Sequence, residues 1–107
     1  MQHLPSDERR IIKGLVSRAL GRGYVVSVND GEEWSLVRSS SSSAICASIG
    51  LTDTTTLVFR DGARRDDAGR LARVGSVFLV HGNGDEVVCD CTDIPEILSL
   101  VAPGGVA

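Results

Sequence analysis

Apolar residues near the start of the chain recur every three or four positions, which predicts an amphipathic helix. Ser6 provides an N-cap before this stretch, and Gly21 and Gly23 provide a stop after it. Asp7 and Glu8 fall in the first turn, where the helix dipole favours acidic side chains. The apolar face of the predicted helix consists of Ile11, Ile12, Leu15, Val16, Ala19 and Leu20.

Two β-prone runs on either side of residues 30–31, Asp-Gly, predict a hairpin. A three-residue loop places Val28 opposite Trp34, whereas a two-residue loop would divide the apolar side chains between the two faces. We therefore expect the three-residue loop. Its apolar face is predicted to consist of Tyr24, Val26, Val28, Trp34 and Leu36.

A second hairpin is predicted at residues 83–84, where Asn-Gly separates two further β-prone runs. As a two-residue turn, Asn-Gly pairs Leu79 with Val88 and places His81 opposite Glu86. Both faces of this hairpin carry apolar side chains. We therefore expect it to lie centrally in a sheet or to line an interface.

The rest of the pattern predicts three more elements. Residues 39–43 are five consecutive serines, which must form a loop whose end caps a short helix over 44–49. Residues 55–60 form a strand that a charged connection follows. Thr92 or Asp93 caps the last helix, which has a proline in its first turn.

These elements predict a single α+β domain over residues 1–107, in the order αββαβββα. Helices would cover one face of a five-stranded, mostly antiparallel sheet. No apolar run approaches the roughly 20 residues that a membrane span needs, and the first residues do not resemble a signal peptide. Three cysteines, an odd number, are typical of a reducing compartment, so we expect a cytoplasmic protein.

Charge is unevenly distributed along the chain, although the net formal charge is only −3. No lysine or arginine follows Arg73, whereas five acidic residues do. Such a segment can steer association with a basic partner protein, and the alternative is solvated charge that keeps a small protein soluble. The expected partner-binding residues are Asp85, Glu86, Asp90, Asp93 and Glu96, with Asp30, Glu32 and Glu33 as a second set.

An arginine-rich segment before the fourth strand supports a second hypothesis, a nucleic-acid-associated module. Aspartates lie between the arginines, and no aromatic residue is interleaved with them. The four aromatic residues of the chain are too few for a base-stacking platform, and the net charge does not favour DNA binding by the whole molecule. The candidate nucleic-acid-binding residues are Arg60, Arg64, Arg65, Arg70 and Arg73.

A third hypothesis is a metal site at Cys89 and Cys91, which lie two residues apart on one strand. A metal site of this kind needs two further ligands, and His81 is predicted on the opposite face. We expect neither a metal nor a cofactor. No catalytic motif is present, and His81 has no candidate nucleophile as a partner, so the chain is predicted to be non-enzymatic.

Three stretches of the chain form a recognisable pattern. They are residues 23–39, which contain Asn-Asp-Gly-Glu-Glu-Trp, residues 52–61, and residues 74–93, which contain His-Gly-Asn-Gly and Thr-Asp. Together they resemble a family of short accessory proteins of tailed phages and prophages. An aromatic residue usually stands in that family where Cys91 stands here, which argues against a Cys-x-Cys metal site.

This resemblance implies a small protein that acts in the cytoplasm of a bacterial host cell. The expected action is to bind and occlude a host protein, of the anti-CRISPR or other anti-defence type. The expected partner is a basic nucleic-acid-binding complex, and a homodimer is a further candidate assembly. No membrane partner is expected.

Overall fold

The computed structural model describes residues 1–102 of the chain. The helices and strands follow one another in the predicted order, αββαβββα. Their bounds are α1 Ser6–Gly21, β1 Tyr24–Asn29, β2 Trp34–Ser39, α2 Ser42–Ala47, β3 Thr54–Arg65, β4 Leu71–Val80, β5 Val88–Cys91 and α3 Pro95–Val101. A single 3₁₀ turn, Gly84–Glu86, precedes β5. None of the helices in residues 1–102 is long and apolar enough to cross a membrane.

The five strands form one antiparallel sheet in the order β2-β1-β3-β4-β5, which confirms the predicted α+β class. β3 lies at the centre of the sheet, and β2 and β5 form its edges. The second predicted hairpin is therefore not central, because β4 lies next to the edge and β5 is the edge strand.

One face of the sheet packs against the three helices and forms the core. Alternate residues of β1, β3 and β4 point to this face and are fully buried, as period-two alternation requires. Burial of each large apolar side chain stabilises the fold by about 1.5–3 kcal/mol. The core includes Ile12, Leu15, Val16, Ala19, Val26, Val28, Ile45, Ile49, Leu57, Phe59, Val77, Leu79, Ile97 and Leu100.

The last helix packs very closely against β4. A Cβ atom on Gly75 would lie 2.6 Å from Cγ1 of Ile97, so only glycine permits this approach. Arg18 joins α1 to α3, because its Nε and Nη2 donate hydrogen bonds to the carbonyl oxygen of Leu100 at 2.9 and 2.7 Å.

The predicted register of the first hairpin is wrong. Val28 pairs with Leu36, and Asn29 pairs with Trp34, so Trp34 points away from the core side chains. The loop is one residue longer than predicted because Asp30 closes it: its backbone N–H donates to Glu33, and its carboxylate accepts from the turn backbone. One extra loop residue moves a side chain to the other face.

The second hairpin is only partly as predicted. Leu79 pairs with Val88, but the 3₁₀ turn replaces the two-residue Asn-Gly turn. His81 does not face Glu86: its backbone N–H donates to the carbonyl oxygen of Asp53, and its ring points into the protein. The reason is the buried carboxylate of Glu8, which accepts a hydrogen bond from the ring.

Three predictions of helix caps have different outcomes. Pro5, not Ser6, occupies the N-cap position of α1, because the helix already begins at Ser6, and no side chain caps it. Ser41 caps α2, since its hydroxyl accepts a hydrogen bond from the backbone N–H of Ala44. Ile94 occupies the N-cap position of α3 instead of Thr92 or Asp93. The hydroxyl of Thr92 accepts from the backbone N–H of Ser76 and so joins β5 to β4.

Candidate functional site

A buried polar cluster lies where α1 begins and where β3 and β4 meet it. Nδ1 of His81 lies 2.9 Å from Oε1 of Glu8, and Nε2 of His81 lies 2.7 Å from the hydroxyl oxygen of Thr55. The backbone N–H of Gly82 donates to both oxygens of Glu8, and that of Gly50 donates to the hydroxyl of Thr55. We call these three side chains the sealed cluster.

The order of groups in the sealed cluster, hydroxyl, imidazole and carboxylate, is that of a hydrolytic triad. The hydroxyl is enclosed, however, because Thr55 is only 1% exposed and Glu8 is fully buried. Each side chain already has protein partners. The arrangement joins α1 to β3 and β4. A cavity of about 340 Å³ lies beside it and is lined in part by Gly50, His81 and Gly82.

Sequence analysis missed the sealed cluster although a signal was present. Glu8 precedes Ile12 by four residues and lies on the same stripe as Leu15 and Ala19. That position is on the buried face of α1. The prediction assigned Glu8 to the helix dipole and so did not look for a buried partner.

The sheet brings most of the acidic loops to one end. β1 ends, β2 begins, β3 begins and β4 ends there, because neighbouring strands are antiparallel. The hydroxyl of Thr52 donates to the carbonyl oxygen of Asp30, and the carbonyl of Asp53 accepts from His81, so the loops adjoin. We call this region the acidic end. Its acidic residues are Asp30, Glu32, Glu33, Asp53, Asp85 and Glu86.

The acidic end has no compensating cations in its loops. Residues 30–33, 50–53 and 81–87 contain no lysine or arginine. Two large apolar side chains are exposed in or next to these loops: Leu51, in the second loop, is 58% exposed, and Trp34, at the start of β2, is 53% exposed. Hydrogen bonds from the backbone N–H groups of Glu33 and Glu32 lower the pKa of Asp30.

The two acidic sets proposed from the sequence are thus divided differently in space. Asp85 and Glu86 lie at the same end of the sheet as Asp30, Glu32 and Glu33. Asp90 lies on β5 opposite Phe78, and Asp93 and Glu96 follow β5 at the other end. Only the first five of these carboxylates come together at one end.

The candidate arginines lie toward the opposite end, on β3, β4 and their connection. β3 continues to Arg65, so the charged connection is shorter than predicted. Arg60 pairs directly with Arg73 across the two strands. Arg64, Arg65 and Arg70 are exposed on the extended hairpin beyond them.

A β-bulge determines where Arg73 points. Phe59 pairs with Gly75, but the next pair is Arg60 with Arg73, so Val74 is an extra residue. Val74 packs against the core, and Arg73 joins Arg60 on the face of the sheet away from the helices. Re-aiming a side chain is a characteristic effect of bulges.

The face of the sheet opposite the helices, here called the open face, carries a third arginine. Arg38 lies on β2 with a φ of 48°, the only positive φ of a non-glycine residue within residues 1–102. Its backbone N–H donates to the hydroxyl of Ser27 at 2.8 Å. A cavity of about 260 Å³ is lined by Ser27, Trp34, Val37, Arg38, Val58, Arg60 and Arg73.

The two clustered cysteines have different surroundings. Cys89 is exposed, whereas Cys91 packs against the core. Burial, followed by the charges of Asp90 and Asp93, raises the pKa of the Cys91 thiol. Within residues 1–102, no three His, Cys, Asp or Glu side chains are grouped closely enough to hold a metal ion.

Comparison of the chain with known protein families, with curated proteins and with solved structures finds no significant match.

Proposed function

We propose that the protein is a non-enzymatic binding module that docks its acidic end onto a basic partner protein and occludes that surface. The observation that carries this proposal is the acidic end itself. Three loops without lysine or arginine adjoin there, and two exposed apolar side chains stand in or next to them, Leu51 in the second loop and Trp34 at the start of β2.

This combination suits a protein interface. Exposed aromatic and aliphatic side chains supply most of the binding energy when they enter a pocket of the partner. The surrounding carboxylates steer a basic partner and orient it. Acids without apolar anchors would only keep the molecule soluble, so the binding energy must come from Trp34 and Leu51.

The expected context follows from the resemblance to phage and prophage accessory proteins. The protein would act in the cytoplasm of a bacterial host cell as an anti-CRISPR or other anti-defence inhibitor. Its partner would be a nucleic-acid-binding complex, whose basic surface is complementary to the acidic end. The hydroxyl of Thr55 is buried and hydrogen-bonded to His81 and Gly50, which supports occlusion over catalysis.

The test is capture from a bacterial host lysate with tagged protein, followed by reconstitution of each captured complex from purified components. The first variant combines Leu51→Ser with Glu32→Lys and Glu33→Lys. The matched control combines Asp93→Lys with Glu96→Lys, which makes the same change in charge at the other end of the sheet.

We expect the first variant to weaken the reconstituted complex at least tenfold and to reduce its salt dependence. The control should bind as the wild type does. Equal loss in both would show that net charge, and not the acidic end, determines binding. A homodimer detected by light scattering, with no heterologous complex, would instead identify the second copy as the partner.

A further inference from the structure

The cavity on the open face is lined by cations and by an aromatic ring, without a carboxylate. Its seven lining residues include three arginines, one tryptophan and no acid. Within residues 1–102, the only contact within 4 Å between a carboxylate and a basic side chain is that of Glu8 and His81 in the sealed cluster. The guanidinium groups of Arg38, Arg60 and Arg73 therefore have no carboxylate partner in this part of the chain.

The arrangement of Arg60 and Arg73 is costly without an anion. Like charges directly opposite each other on neighbouring strands destabilise a sheet. Arg60 donates one hydrogen bond from Nη1 to the carbonyl oxygen of Leu71, which holds its side chain in place but neutralises no charge. An anion bound between the two groups would offset their repulsion.

The backbone at Arg38 is a second costly feature at the same place. A left-handed conformation of a non-glycine residue is unfavourable, and such strain is concentrated at binding sites. The bond from Arg38 N–H to Ser27 maintains it, and Arg38 reaches the cavity that Arg60 and Arg73 line.

We propose that the open face binds a single strand of nucleic acid, with phosphates at Arg38, Arg60 and Arg73 and a base stacked on Trp34. This site is separate from the acidic end, although Trp34 stands at the border of the two surfaces. The three arginines belong to β2, β3 and β4, so the backbones of the outer two are about 15 Å apart at a strand spacing of about 4.8 Å. Arginines spread over three strands can contact successive phosphates of a polynucleotide.

The hairpin beyond the cavity extends the basic track. Arg64, Arg65 and Arg70 are exposed along it. Two of the three aspartates in this segment hold its backbone: Asp61 accepts from Ala63 N–H, and Asp66 accepts from the N–H groups of Ala68 and Arg70, whereas Asp67 is exposed.

The aromatic side chains favour a nucleic acid over an acidic peptide. Trp34 and Phe78 lie in one cross-strand row of the open face, through the pairs Trp34–Asn29, Asn29–Thr56 and Thr56–Phe78. Flat rings on an open sheet are stacking surfaces for unpaired bases, and arginines beside them bind the backbone. Two aromatic side chains suit a short contact, not a long platform.

The experiment uses the only tryptophan of the chain as the reporter. Unlabelled dT12 and rU12 are titrated into the full-length protein at 50 and 200 mM salt while Trp34 fluorescence is recorded. A 12-base-pair duplex and poly-glutamate are the comparison ligands. Binding is measured independently by anisotropy of labelled oligonucleotide.

We expect the single strands to quench the fluorescence and to bind more weakly at the higher salt. Arg73→Gln and Arg38→Gln should each weaken binding and reduce the salt slope by about one. Trp34→Ala should weaken binding about 5- to 150-fold, the range of one stacked base. Arg10→Gln is the matched control, because Arg10 is exposed on α1 at the opposite side of the sheet, and it should bind as the wild type does.

Three results would overturn the proposal: no quenching by either strand, equal binding by Arg73→Gln, or poly-glutamate or duplex binding as tightly as the single strands. The acidic-end variant Glu32→Lys/Glu33→Lys/Leu51→Ser keeps all three arginines. Its loss of the protein complex with retention of the oligonucleotide separates the two proposals.

Discussion

The sealed cluster and the open face both contain polar and charged side chains, but the fold satisfies those of the first and leaves those of the second to solvent. In the sealed cluster, Glu8, His81 and Thr55 are buried and are hydrogen-bonded to one another or to the backbone. On the open face, Arg38 and Arg73 reach solvent without a carboxylate partner. Groups that are satisfied within the fold act on its stability, whereas unpaired groups are available to a ligand.

The largest expected effect is a loss of stability on substitution of Glu8, which disrupts the sealed cluster. Glu8→Ala should lower the free energy of unfolding by about 3–5 kcal/mol, because Nδ1 of His81 and the N–H of Gly82 lose a buried acceptor. Urea denaturation at neutral pH measures this loss. Glu33→Ala, in an exposed loop, should change stability by less than about 0.5 kcal/mol. Equal stability of Glu8→Ala and the wild type would contradict the burial of this pair.

A smaller loss of stability is expected when only the hydroxyl of Thr55 is removed. Thr55→Val preserves the shape but leaves the N–H of Gly50 and Nε2 of His81 without that partner, at a cost of about 1–3 kcal/mol. Thr56→Val is the matched control, since Thr56 lies on the open face and valine is at least as favourable as threonine in a strand. The two midpoints of denaturation should differ clearly, and coincident midpoints would mean that the hydroxyl contributes nothing.

The sequence predicts the elements well because periodicity reports which side chains are buried. The apolar stripe of α1 and the alternation along β3 require no distant information. The predicted face of the sheet for a side chain is wrong where a bulge or a longer loop adds one residue. Val74 and the loop after Asp30 each add one, and neither insertion changes the pattern of apolar residues that a reader of the sequence sees.

The candidate sites depend on those insertions, which is why sequence reasoning could not assemble them. Trp34 and Arg73 reach the open face only because of the added residues, and Arg38 joins them through a strained backbone. The acidic end arises from strand order, a long-range property. His81 was predicted opposite Glu86, because its actual partner, Glu8, is 73 residues away.

Arg73 offers a prediction of opposite sign to those for the sealed cluster. Arg73→Gln should leave the free energy of unfolding unchanged or raise it by about 0.2–1 kcal/mol, because it removes the like charge opposite Arg60. The same change should weaken binding of dT12. Thermal unfolding at low salt and oligonucleotide binding are measured on one preparation. Destabilisation of about 1 kcal/mol or more would show that Arg73 is a structural residue.

Asp30 is intermediate between the two regions, since its carboxylate is at the surface but accepts hydrogen bonds from the backbone of its own turn. Hydrogen bonds from the N–H groups of Glu33 and Glu32 favour its charged form, so its pKa in the folded protein should lie below the usual value of about 3.9. A depressed folded pKa means a stabilising contribution that is complete above the unfolded value. That contribution is lost as the pH falls through the folded value.

Carboxyl NMR over pH 2–6 should therefore show Asp30 titrating below the usual aspartate value, and Asp30→Ala should destabilise the first hairpin more at pH 6 than at pH 2. The carboxylate keeps its charge while it holds the turn that carries Glu32 and Glu33, so one residue contributes both to the fold and to the charge of the acidic end. Titration at or above the usual aspartate value would separate those roles, because the turn would then not depend on the charged form.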